Sequence, residues 1–359
     1  MTTKCILVVC SVIAAIAIYW PARHARHYDY IDLERVYNEL LFSHIGNSKP
    51  NLKNCDYEDV IVNNSDIDVA SITVPKHFDR PGLGGEYSPK DCNPLLKVAV
   101  IVPYRNRSQQ LDLFLNFMHN FLQKQHLFYR IFIVNQADVL PFNRAKMMNY
   151  GAKVAMDMGY PCLILHDVDL LPLNSGNIYS CGKKPRHMSS SLDTFRFNLP
   201  YLTLFGGVVA ISSKHFQNIN GMSNQFFGWG GEDDDFYKRL EIHNLLPYRF
   251  SPKLSKYTML FHKKEKARFG IYVFILVSKK NLTKYEIIKS TVKYFLFKVL
   301  LRNYFFDRDF LSVCLINFSP SRFSTLEKSV ASHRVDGLST LAANYSIKLE
   351  KLYTLIMAS

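Results

Sequence analysis

Apolar and polar positions divide the chain into three unlike parts. Cys5 to Trp20 is an uninterrupted run of 16 mostly apolar residues, with Lys4 before it and Pro21, Arg23 and Arg26 after it. It is a little shorter than the roughly 20 residues of a spanning helix, and no small-x-small cleavage site follows it, so the pattern predicts an uncleaved membrane signal anchor. From Pro21 to about Pro94 the chain turns polar and Asn/Asp-rich, which reads as a stem that orders near the next unit. The third part opens with Lys97-Val98-Ala99-Val100-Ile101-Val102-Pro103, a short β-branched run suited to a buried parallel strand.

Tyr129 to Val134 and Cys162 to Leu165 repeat that strand signal. Helical patterns over Ser108 to Gln123 and Asn143 to Met156 separate them, with Ser108 placed to cap the first. Strand, helix, strand, helix, strand predicts an α/β unit with an open, mostly parallel sheet and ligands at the carboxyl ends of its strands. No glycine-rich phosphate loop is present, so a phosphorylated ligand needs another device.

Composition narrows the function classes. The 359 residues, 48% hydrophobic, suit one large or two ordinary packed domains. The net charge of +14 raises nucleic acid as a partner, but residues 268–319 alone hold nine Lys/Arg against three Asp/Glu, and no nucleic-acid motif accompanies the excess, so nucleic-acid binding is excluded. Arg23 and Arg26 outweigh Lys4 and argue against a lumenal C-terminus. Cysteines argue for one: Cys55, Cys92, Cys162 and Cys181 can form two disulfides in an oxidising compartment, and sequons at Asn63, Asn281, Asn317 and Asn344 agree.

Two acidic motifs carry the chemistry. His166-Asp167-Val168-Asp169 follows the third strand. In extended chain it puts Asp167 and Asp169 on one side, where hard carboxylate oxygens suit Mg²⁺ or Mn²⁺. Phe226-Phe227-Gly228-Trp229-Gly230-Gly231-Glu232-Asp233-Asp234-Asp235 places four carboxylates behind a glycine-aromatic turn, a run that resists burial unless polar partners answer it. An aromatic face beside carboxylates fits a sugar ring and a general base. Met259 and His262, three apart, are a further pair of possible metal ligands; by themselves they read as a core residue and a surface residue.

These motifs, with Phe142-Asn143-Arg144-Ala145-Lys146 and Phe205-Gly206-Gly207, resemble the β-1,4-galactosyltransferases in order and spacing. The resemblance runs from about Gly85 to Ala267 and resumes from Arg322 to about Ser346. It implies a glycosyltransferase-A type α/β fold, Mn²⁺, a UDP-sugar donor, inversion at the anomeric carbon, and a Golgi type II membrane protein. The implied organisation is a cytoplasmic tail (1–4), signal anchor (5–20), lumenal stem (21–84), catalytic domain (85–346) and C-terminal tail (347–359). Carried over by position, the resemblance assigns Pro103, Arg105, Arg107, Phe142, Arg144, Asp167, Val168 and Trp229 to the nucleotide sugar. It assigns Asp169, Met259 and His262 to the metal, and Gly230, Gly231, Asp233 and Asp234 to a GlcNAc-terminated acceptor. Asp233 becomes the catalytic base with Glu232 beside it, and Cys55 pairs with Cys92 and Cys162 with Cys181.

Donor choice is read from one position. Leu204 stands where galactose-preferring members carry tyrosine, whose bulk and hydroxyl crowd an acetamido group. The expectation is therefore UDP-GalNAc transfer in β-1,4 linkage, with UDP-Gal as the alternative. Residues 268–319 depart from the family and read as translated intron or a genuine insertion. Beside the implied lid bearing His262, they admit a further alternative, a form that binds without catalysis.

Overall fold

The computed structural model describes residues 11–15, 30–43, 49–74, 77–228, 230–261, 326–329, 331–342 and 344–359. The insertion at 268–319, His262 and Trp229 lie outside the described residues, as does most of the 5–20 anchor. Among the described residues, no helix is long and apolar enough to cross a membrane.

In chain order the elements are β1 (Tyr30–Ile31), α1 (Leu33–Glu39), α2 (Tyr57–Val62), β2 (Glu86–Tyr87), β3 (Lys97–Tyr104), α3 (Ser108–Gln123), β4 (Phe128–Gln136) and α4 (Arg144–Asp157). They continue as β5 (Cys162–His166), β6 (Leu170–Pro172), β7 (Arg186–His187), β8 (Ser191–Leu192), β9 (Val208–Ser212), α5 (Ser213–Asn218) and α6 (Glu232–Ile242). The last four are β10 (Arg249–Phe250), β11 (Lys256–Met259), β12 (Tyr345–Leu349) and β13 (Thr354–Ala358). All three predicted strands and both predicted helices are present.

The central sheet runs β12-β13-β4-β3-β5-β9-β7, with β2 added against β4. Successive side chains of a strand face opposite sides, so β3 serves two cores at once. Val98, Val100 and Val102 join the cluster containing Phe114 and Met118 of α3. Ala99 and Ile101 join the one containing Met148 and Ala152 of α4. Helices on both faces account for the near-continuous apolar run of β3.

The sheet is mixed where a mostly parallel one is expected. β13, β4, β3 and β5 are parallel, but β9 runs antiparallel to β5, β7 to β9 and β12 to β13. The connection from β4 to β5 passes over β3, so the strand order reverses at β3. Ligand crevices of open α/β sheets form at the carboxyl side of such a reversal, and Asp167 and Arg105 both lie there.

Both ends of the unit differ from the reading by composition. The stretch taken as a stem packs onto the body from Tyr30 onward: β1 pairs with β10, and Val36, Leu40, Tyr57 and Ile61 are buried. Tyr57 and Ile61 are four apart on one face of α2, and Val36 and Leu40 lie in and just after α1, a signal that an Asn/Asp-rich average conceals. The Tyr57 hydroxyl accepts hydrogen bonds from the backbone of Leu95 and Leu96 and donates to the His126 carbonyl. Cys55–Cys92 and Cys162–Cys181 are disulfides, in the pairing that the resemblance implies. At the other end, residues 347–359 are no tail. β12 and β13 form a hairpin whose second strand pairs with β4 along five registered positions, with Ile356 and Ala358 buried.

Candidate active site

The arginines and the two aspartates of the first acidic motif come from three places in the fold. The turn after β3 supplies Arg105 and Arg107, the start of α4 supplies Arg144, and the turn after β5 supplies Asp167 and Asp169. Asn143 caps α4 by accepting from the Lys146 N–H, which places Arg144 in the first turn. Arg144 is the hub. Its Nε donates to Asp167 Oδ1 at 2.6 Å, its Nη1 donates to Asp233 Oδ1 at 3.0 Å, and Glu232 Oε1 lies 4.0 Å from Nη1. Burial works against the charge on Arg144, but Asp167, Asp233 and Glu232 outweigh it and hold the guanidinium protonated.

The four-carboxylate run is the first turn of α6. Gly231 caps it at φ 95° and Gly230 precedes it at φ 91°, conformations that favour glycine. Anionic side chains at a helix N-terminus meet the positive end of its dipole, which offsets their mutual repulsion. Burial of the run is uneven, against the expectation that none of it is easily buried. Glu232 and Asp235 are buried because helical spacing turns them inward, and Asp235 is answered by Arg239, whose Nε donates at 2.8 Å. Arg239 in turn donates to the Asp336 backbone and Ser329, so the fourth acidic residue anchors the chain that returns after the insertion.

Asp233 and Asp234 face the crevice. Burial, reinforced by Glu232, Asp167 and Asp234, holds the Asp233 carboxyl well above the ordinary carboxylate range, and Arg144 pulls it back down. The Asp233 side chain keeps 26% exposure, so a proton acceptor made more basic by its surroundings is open to a ligand. Tyr201 hydrogen-bonds to Asp234, and its hydroxyl is held protonated by burial and by Asp234 and Asp233.

Close approach of backbone to carboxylate explains the Phe-Gly-Gly motif. A Cβ on Gly206 would lie 2.1 Å from Asp233 Oδ2 and 2.4 Å from its Cγ. Gly206→Ala is expected to swing the Asp233 carboxylate away and lower kcat roughly 100-fold, the cost of about 1 Å of misplacement. Unfolding temperature should stay near wild type; a variant of unchanged kcat would remove the steric argument.

Asp167 and Asp169 do not share one side of an extended strand. They occupy a turn closed by the Leu170 N–H on the Asp167 carbonyl, which sends Asp167 to Arg144 and Asp169 to Arg107 Nη1 at 3.6 Å. Val168 between them is buried in the core. Asp169 and Met259 are brought together: β11 pairs with β6 in the register Met259–Leu170, and the Leu260 N–H donates to the Asp169 carbonyl at 2.7 Å. Oxygen and thioether donors on adjoining strands fit a divalent ion of intermediate softness. The third assigned ligand, His262, follows directly, and the chain leading to it is held by Gln110, whose Nε2 donates to the Phe261 carbonyl at 2.9 Å.

Arg107 Nη1 is buried without a hydrogen-bond partner, a donor suited to phosphate oxygens. Arg105 donates to the Leu140 carbonyl and lies 5.2 Å over the Phe142 ring. The Phe142 carbonyl accepts from the Gly228 N–H, tying the segment ahead of α4 to the glycine turn. Pro103 is buried near the end of β3. Leu204 is half-buried in the loop ahead of Gly206. Residues that sequence reasoning missed are His187, Ser189 and Arg249 behind that loop; no spacing or motif marks them.

Residues 50–182 match the N-terminal region of glycosyl transferase group 7, and residues 186–263 match the family described as the N-terminal domain of galactosyltransferase. Together these define a chain of the group 7 glycosyl transferase class. The chain is 46% identical to Bos taurus β-1,4-galactosyltransferase 1 over 185 residues, 51% of this chain and 46% of that one. It is 42% identical to Mus musculus β-1,4-galactosyltransferase 2 over 207 residues, 55% of this chain and 56% of that one. With Mus musculus β-1,4-galactosyltransferase 4 it shares 38% identity over 239 residues, 64% of this chain and 68% of that one. The chain belongs to the β-1,4-galactosyltransferase family. It spans about half the length of the first two relatives. Among solved structures it is similar to the catalytic domain of Drosophila β-1,4-galactosyltransferase 7 in complex with xylobiose, at 24% identity, 74% coverage of this chain and 94% of that one, and a TM-score of 0.49.

Proposed function

We propose that the chain is an inverting, Mn²⁺-dependent glycosyltransferase that moves GalNAc from UDP-GalNAc in β-1,4 linkage onto a terminal GlcNAc. The observation that carries the reading is the Arg144 hub, which holds a basic, ligand-accessible Asp233 beside the Asp167–Asp169 turn. Asp233 takes the proton of the acceptor 4-hydroxyl as that oxygen attacks the anomeric carbon from the face opposite UDP. One displacement turns an α-linked donor into a β-linked product. Arg144 keeps Asp233 ionised and aimed, Gly206 leaves room for its carboxylate, and Arg107 meets the diphosphate.

Asp169, Met259 and His262 would hold the ion, which when bound supplies Lewis-acid stabilisation of the negative charge on the departing UDP. The resemblance assigns Trp229 to the donor and Gly230 and Gly231 to the acceptor. Two disulfides support an oxidising compartment, and the location we propose is the Golgi lumen, with residues 5–20 as the tether.

GalNAc is chosen over galactose because aliphatic Leu204 leaves room for the acetamido group. The test offers UDP-GalNAc and UDP-Gal side by side to the full chain with Mn²⁺ and a GlcNAc-terminated acceptor. GalNAc transfer is expected to be the faster. Leu204→Tyr should shift the ratio of kcat/KM values toward galactose by about tenfold or more, the scale of discrimination that one pocket contact sets. Faster galactose transfer by the wild type sinks the donor assignment alone; transfer of neither sugar sinks the activity.

A further inference from the structure

The loop that carries Leu204 and Gly206 is held from behind by a buried guanidinium. Arg249 belongs to β10, is 6% exposed, and aims Nη2 at two carbonyls of that loop, Leu202 at 3.2 Å and Leu204 at 3.0 Å. Its Nε lies 3.3 Å from Nδ1 of His187. His187 is fully buried in β7 and places its other nitrogen, Nε2, 3.1 Å from the Gly206 carbonyl.

The tautomer follows from the partners. An arginine only donates and a carbonyl only accepts, so Nδ1 is bare and accepts from Arg249 while Nε2 carries the proton and donates to Gly206. Burial, with Arg249 beside it, keeps His187 neutral. Three consecutive even-numbered carbonyls, of Leu202, Leu204 and Gly206, therefore hang on one cation, two directly and one through the imidazole. Ser189 Oγ adds a second donor to Gly206, at 3.2 Å.

We propose that Arg249, acting through His187, is a positioning residue that sets the backbone of the 201–207 loop, and through it both donor discrimination at Leu204 and the seat of the Asp233 carboxylate against Gly206. The inference rests on the functional reading above. Neither residue touches a substrate; both act on the loop that does. A lysine cannot replace Arg249, because a single ammonium on a flexible stem lacks the planar fork that reaches two carbonyls and an imidazole together.

The experiment compares Arg249→Lys, His187→Gln and His187→Leu in the full chain, reading kcat and KM for UDP-GalNAc and UDP-Gal and the unfolding temperature. Arg249→Lys should lower kcat ~10–100-fold, the scale of a misplaced reacting group, and change the ratio of the two donors. His187→Gln keeps an N–H for the Gly206 carbonyl and should retain more activity than His187→Leu. A folded Arg249→Lys with the wild-type donor ratio and kcat overturns the proposal, as does an equal loss by the two His187 variants. Should Arg249→Lys fail to fold, the His187 pair decides by the same donor ratio. A wild-type chain that transfers neither sugar overturns the functional reading and this inference together, whereas an active wild type with indifferent variants overturns the inference alone.

Discussion

Asp233→Asn is expected to abolish sugar transfer almost completely, by about 10²–10⁴-fold in kcat, the range that a positioned general base contributes. The amide has nearly the same shape, so the Phe205-Gly206-Gly207 cradle and the first turn of α6 remain filled. What is lost is the ability to take the acceptor proton. Binding of UDP with Mn²⁺, measured by calorimetry, should persist, because the Arg105–Arg107 turn and the Asp169–Met259 pair lie on other elements. The acidic limb of the pH profile should vanish from whatever activity is left. An asparagine variant with near wild-type kcat would assign the base to another group, and Glu232 would be the first to examine.

The second large effect is expected at Arg144. The groups that face Asp233 are Arg144 from α4, Asp167 from the turn after β5, and Glu232 and Asp234 from its own helix. Arg144 alone of these lowers the Asp233 pKa, so its removal raises that pKa further. A general base works only when ionised, so the pH below which kcat/KM falls must move upward in Arg144→Met. At neutral pH the variant should lose ~100-fold in kcat/KM, since Asp233 is then both more protonated and no longer aimed. Arg144→Lys keeps a positive charge but reaches Asp167 and Asp233 together less well, and its limb should shift less. A pH profile of unmoved limb in Arg144→Met would show that the hub orients the site without tuning it. A limb displaced downward would contradict the electrostatic order altogether.

Much of this site is legible in the chain because local chemistry enforces it. The apolar, β-branched run Lys97–Pro103 can only be a strand covered on both faces, and the capped periodic stretches after it can only be the helices that cover it. Gly230 and Gly231 mark a backbone that other residues resist, directly ahead of the carboxylates. Those features place Asp167 and Asp169 at the carboxyl end of the third strand, and mark Asp233 as lying directly behind a glycine turn.

Other features depend on pairings between residues far apart in the chain. Glu232 turns inward toward Arg144, far back in the chain, whereas Asp235 is answered by Arg239 one turn along its own helix. A run of four acids on paper says nothing of which two are exposed. The 21–84 segment hides Val36, Leu40, Tyr57 and Ile61 in a polar average, and the final hairpin is recognisable only once β4 offers an open edge.

By itself, then, the sequence determined the α/β layering, the family, the four cysteines that pair and the two acidic motifs, because each follows from residue type and short-range spacing. The tertiary structure alone decided the mixed direction of the sheet, the hold of Arg144 on Asp233 and Glu232, the divergence of Asp167 from Asp169, and the hold of Arg249 on the Leu204 loop. Hydrogen bonds and ion pairs between groups separated by tens of residues carry no local signature, so they become visible only when the fold has brought the partners into contact.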